Sequence, residues 1–137
     1  MLLAAAAGCR RQADPVRETL EEIARAARGR DAAAVTARLS ADYRDAAGNG
    51  RADIEQLLRG YFAAYEIVDV RIGEVAIERA EGAARVRFRA DLSGQPKQAS
   101  ALAGLLPSSV SYDFDVRLAP EGGAWKVAWA DWRSVSR

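Results

Sequence analysis

At Tyr65 the spacing of apolar residues changes from a period of three and four to a period of two, and it does not change back. Before that point Val16, Leu20, Ile23, Ala24 and Ala27 recur at helical spacing. After it Val86, Phe88, Ala90 and Leu92 alternate with Arg85, Arg87, Arg89 and Asp91, and Val110, Tyr112, Phe114, Val116 and Leu118 alternate with Asp113, Asp115 and Arg117. A chain ordered this way, helices first and strands after, folds as α+β with its helices gathered on one face of a sheet. At 137 residues, half of them hydrophobic, there is material for one core.

Punctuation marks the elements. Asp14 caps and Pro15 opens a first helix that Gly29 ends, with Arg17, Glu21 and Arg25 on its solvated side. Asp31 caps a short second helix whose apolar side is Val35 and Leu39. "YRDAAGNGR" reads as a short extended piece and a turn, and a third helix over roughly Ala52 to Ala64 buries Ile54, Leu57, Leu58, Tyr61 and Phe62. Val68, Val70 and Ile72 share one strand face, and Val75 and Ile77 continue on the opposite parity. A bulge near Gly73-Glu74 must therefore bend that strand. Glu81-Gly82 and "PEGG" (120 to 123) are turns. Antiparallel pairing of the next two strands sets Arg89 against Asp113 and Arg87 against Asp115, a ladder that supports register and is a candidate homodimer face. In the last strand Trp125, Val127 and Trp129 share a face. Trp132 is either brought inward by a bulge near Ala130-Asp131 or left on the outer face.

Several function classes are excluded. Twenty Lys and Arg stand against nineteen Asp and Glu without a basic stripe, so no nucleic-acid partner is expected. There is no histidine, which removes imidazole nucleophile pairs and imidazole metal ligands; neither a metal nor a cofactor is expected. Acid-base work would fall to Asp, Glu, Lys or Tyr. Cys9 is the only cysteine, so no intrachain disulfide forms.

"LLAAAAGCRR", residues 2 to 11, is an apolar run that stops on small residues and a cysteine. It resembles the end of a bacterial secretory signal carrying a lipobox, although the basic start is missing and Met1 reads as a misplaced or trimmed start. On that resemblance Cys9 is the lipidation site, residues 1–12 are signal and tether, and 13–137 are the domain. With arginine rather than aspartate after the cysteine, the implied address is the outer membrane, facing the periplasm. The competing reading makes Leu2 to Cys9 the apolar beginning of the first helix.

"LSADYRDAAGNGRADIEQLLRGYF" and "GGAWKVAWADWRSV", with the helix order and the bulged strand, resemble the nuclear transport factor 2-like superfamily, which includes ketosteroid isomerase, scytalone dehydratase and the polyketide cyclases. The resemblance covers residues 14 to 136 and looks like the superfamily's bacterial lipoproteins of unknown function. It implies a cone: three amino-terminal helices packed on a strongly curved antiparallel sheet of four or more strands. Tyr43, Tyr61, Tyr65, Tyr112 and Trp129 are the aromatic candidates for its wall, as pocket lining or as plain core. Asp45 sits where the isomerase base would be, but beside "AAGNG" it reads as a solvated turn residue. The loop "SGQPKQASALAGLLPSS" (93 to 109) offers Leu102, Leu105 and Leu106 as a flap or as cover for the sheet end. The expectation is a non-enzymatic, lipid-anchored envelope domain that binds a small apolar ligand or a protein partner. The alternatives are an isomerase, dehydratase or cyclase using Asp45, and a structural dimerisation module.

Overall fold

The computed structural model describes residues 14–97 and 109–135. Cys9 and the leucines at 102, 105 and 106 lie outside the described residues. The elements run α1 (Pro15–Arg28), α2 (Ala32–Thr36), β1 (Leu39–Asp45), α3 (Arg51–Ala64), β2 (Tyr65–Ala80), β3 (Ala83–Pro96), β4 (Ser109–Glu121) and β5 (Ala124–Ser134).

α1 begins as its sequence demands. The Asp14 carboxylate accepts from Val16 N at 3.0 Å, and Pro15 occupies a first-turn position where no amide is needed. Gly29 caps its far end, but the left-handed residue after it is Arg30, at φ 53°. That conformation is unfavourable for a side chain. Its guanidinium donates to Tyr65 O at 2.8 Å and to Phe62 O at 3.4 Å, fastening the exit of α3. α1 lies along β2, its start tied to Arg79 through Asp14 and its end to the Val70 carbonyl through Arg28.

Leu39 is not part of the second helix. It opens β1, buried, paired with Val127. Consequently the described residues form a sheet of five strands in the order β1-β5-β4-β3-β2, and it is not wholly antiparallel, because β1 runs parallel to β5. The Ala46 amide donating to Ala130 O and the Val127 amide donating to Arg38 O stitch the two ends of this pair.

Two bulges bend the sheet and set which side chains point inward. In β2 the register shifts between Gly73 and Ala76, with Glu74 at φ 53°, so Ile72, Val75 and Ile77 all pack on the core. In β5 it shifts between Val127 and Trp129, earlier than the Ala130-Asp131 position that the sequence suggested. Val127, Ala130 and Trp132 therefore face the helices, and Trp129 does not.

Candidate functional site

Between the inner face of the sheet and helices α1 and α3 lies a cavity of about 310 Å³. Its wall repeats the parity of the strands: Phe88 and Leu92 from β3, Tyr112 and Phe114 from β4, Trp132 from β5, with Leu58 facing them from α3. Among the described residues no charged side chain lines it. Val16, Val86 and Leu118, with almost no exposure, close one end. Beside them along the strands the aromatics are only half-buried; Phe88 stacks on Phe114 at 5.1 Å with an interplanar angle of 6°, and Phe114 lies 6.0 Å from Trp132. Leu57, expected to be buried, is instead 56% exposed and forms part of the cavity lining.

Of the five aromatic candidates, three line this space and two do not. Tyr43, Tyr61 and Tyr112 are wall residues. Tyr65 is buried behind the wall, at 2% exposure, and stacks against Tyr61 at 4.5 Å. Trp129 is on the opposite face of the sheet, where the Arg117 guanidinium lies 4.8 Å from its ring centre. The β5 bulge exchanges Trp129 for Trp132. Phe88 and Phe114 were legible as inward from strand parity alone.

Of the three phenols that line the cavity Tyr43 is set deepest, at 3% exposure. Its hydroxyl donates to Asp45 Oδ2 at 3.3 Å. Burial first, and the neighbouring carboxylate second, push its phenol well above the ordinary range. Burial likewise raises Tyr61 and Tyr65.

Asp45 is not solvated, as its glycine-flanked setting suggested; it is 6% exposed. Its burial is offset by donors: Ala47 N and Asn49 N to Oδ1 at 3.0 and 2.9 Å, and Asn49 Nδ2 and the Tyr43 hydroxyl to Oδ2. It thus acts as a turn residue, and it does not line the cavity.

The outer sheet face is a lattice of ion pairs. Arg89 faces and bonds Asp113 at 2.9 Å as its register dictates. Arg87 sits opposite Asp115 but reaches across to Glu78, and Arg85 takes Asp115 diagonally at 2.7 Å. Among the described residues no cluster of acids or thiols suits a metal.

No protein-family model matches the sequence, and no curated protein does. Solved structures do resemble it. A provisionally assigned scytalone dehydratase of Novosphingobium aromaticivorans aligns over 89% of this chain and 83% of its own, with a TM-score of 0.77 and 13% identity. The fold is nuclear transport factor 2-like. A provisionally assigned aromatic ring hydroxylase of the same organism agrees over 90% and 88% of the two chains (TM-score 0.73, 15% identity). A Nostoc punctiforme protein of unknown function with a cystatin-like fold agrees over 88% and 89% (0.68, 9%). At such identities the likeness concerns the nuclear transport factor 2-like architecture alone, and chemistry has to be read from the cavity.

Proposed function

We propose that this domain binds a small, uncharged, apolar ligand in the cavity between sheet and helices, without transforming it. The observation that carries the reading is the lining: a wall of aliphatic and aromatic side chains with three phenols and no acid or base among the described residues. A charged ligand would enter without a counter-charge, at a cost of several kcal/mol. An apolar one gains roughly 25 cal/mol for each Å² it buries.

The amino-terminal "AAGC" supports placing this domain at a bacterial envelope, held by lipid on Cys9, at the outer membrane and facing the periplasm. No helix among the described residues is long and apolar enough to cross a membrane. Expression with Cys9→Ser should release the protein from membranes. Equal partitioning of parent and variant would remove the anchor without touching the cavity.

Ligand binding is tested on the full chain carrying Cys9→Ser, with the uncharged fluorophore N-phenylnaphthylamine. The expected result is saturable one-to-one enhancement that Leu58→Arg abolishes while the fold persists. Enhancement that is unsaturable, or indifferent to Leu58→Arg, would sink the reading. A second reading, isomerase or dehydratase chemistry, draws on the Tyr43–Asp45 contact and the scytalone dehydratase name of one structural neighbour. It requires Asp45 to exchange protons with a ligand, and the Asp45 carboxylate is occupied by four donors.

A further inference from the structure

The deepest polar group of the cavity has its proton already committed. Three of the four donors to Asp45 are N–H groups, which can only donate, and together they present Oδ1 and Oδ2 as acceptors. The Tyr43 hydroxyl, 3.3 Å from Oδ2, must therefore donate to Asp45. Its oxygen keeps lone pairs and has no second proton to offer. We propose that Tyr43 Oη acts as a hydrogen-bond acceptor for the ligand, so that the cavity selects an apolar molecule bearing a hydroxyl, an alcohol or phenol, over the corresponding ketone. This rests on the ligand-binding reading above and narrows it to a chemical class.

Relative bond strengths decide the point. For Tyr43 to serve a ketone, it must withdraw its proton from a carboxylate and give it to a neutral oxygen, and hydrogen bonds to ionised acceptors are roughly twice as strong as neutral ones. A hydroxyl ligand asks for no such exchange, since it donates to the free lone pair and leaves the Asp45 contact intact. The phenol, raised by burial and by Asp45, stays protonated across the physiological range, which keeps the polarity fixed. Tyr61 and Tyr112 line the same cavity but are only half-buried. Water competes at these two phenols, so they discriminate weakly between donors and acceptors. At Tyr43, 3% exposed, a mismatched ligand group finds no water to repair its loss.

Borneol, camphor and bornane share one rigid skeleton and differ only as alcohol, ketone and hydrocarbon. Each is titrated as a competitor of N-phenylnaphthylamine on the full chain carrying Cys9→Ser. Borneol should bind about tenfold more tightly than camphor, the ratio expected from one matched hydrogen bond in a dry site. Tyr43→Phe should bring borneol and bornane to equal affinity. Asp45→Asn offers an amide N–H to the Tyr43 oxygen, frees the phenol proton, and should shift the preference toward camphor. Camphor binding as tightly as borneol, or a ratio unaltered by Tyr43→Phe, overturns the inference while bornane binding still upholds the pocket. Failure of all three to displace the fluorophore overturns the pocket and this inference with it. Thermal melts of both variants establish that they are folded, and the Tyr43→Phe result decides alone if Asp45→Asn does not fold.

Discussion

The closed end of the cavity and the aromatic stretch beside it are built from the same strands and treated in opposite ways. Along β3, Val86 is fully buried and Phe88 is only half so; along β4, Leu118 has 1% exposure while Phe114 and Tyr112 remain partly open. A chain shaped for stability alone would pack its largest side chains where most area is removed from water. Here the tight end holds Val16, Val86 and Leu118, and the strand aromatics Phe88, Tyr112, Phe114 and Trp132 stand where the wall stays partly open. One end holds the fold together. The other holds space.

Leu118→Ala tests the tight end and should have the largest effect, a loss of about 3 kcal/mol or more in denaturant unfolding, because a packed core cannot collapse around the hole. A loss under about 1 kcal/mol would erase the distinction between the ends. Asp45→Ala should follow, at about 2 kcal/mol, since four donors lose their shared acceptor inside the protein. Calorimetric melting reads it, and an unchanged melting temperature would mean that the turn is held by other contacts. Trp132→Leu at the open end should cost only about 1 kcal/mol while weakening N-phenylnaphthylamine binding severalfold, the reverse of the split expected of Leu118→Ala.

Acid separates the cavity from the outer face. Arg79 holds Asp14, and Arg85 holds Asp115, below the ordinary carboxylate range. A depressed native pKa gives stability that is complete above the unfolded value, near 3.8, and is lost as pH falls through the native one. Unfolding measurements should thus show little change from these pairs between about pH 7 and 5 and a decline below about 4, modest because the pairs are partly solvated. Over the upper interval ligand affinity should stay flat, since no carboxylate among the described residues lines the cavity; a titration of binding between pH 7 and 5 would place an ionisable group inside it. Leu57→Gln should produce the smallest change in stability, within about 0.5 kcal/mol, because 56% of that side chain is already in water.

Local chemistry made much of this readable. The Asp14-Pro15 start of α1, the β2 bulge at Gly73-Glu74, the alternation of β3 and β4, and the Arg89–Asp113 pair follow from neighbours in sequence or from simple period. Part of what escaped depends on partners far along the chain. Leu39 continues a helical spacing after Val35, and only the distant Val127 reveals it as a strand residue. The β5 bulge has no glycine to announce it, so Trp129 looked like wall and Trp132 ambiguous. Asp45 looked solvated because its glycine-rich context is open in sequence, whereas the donors that permit its burial come from its own turn and from Tyr43. The three wall phenols were identifiable as aromatics at core spacing. Tyr65 satisfies the same spacing, and its place behind Tyr61 is a matter of packing alone.

The parallel pairing of β1 with β5 also orders events in time. β5 is the last strand of the sheet in sequence yet lies between β1 and β4. While the chain is being made, β1 waits without its β5 neighbour until that strand has emerged. The pairing closes a long loop, and contacts of that kind slow folding. The neighbour that completes the β1 edge is thus supplied only after every other strand of the sheet has been laid down.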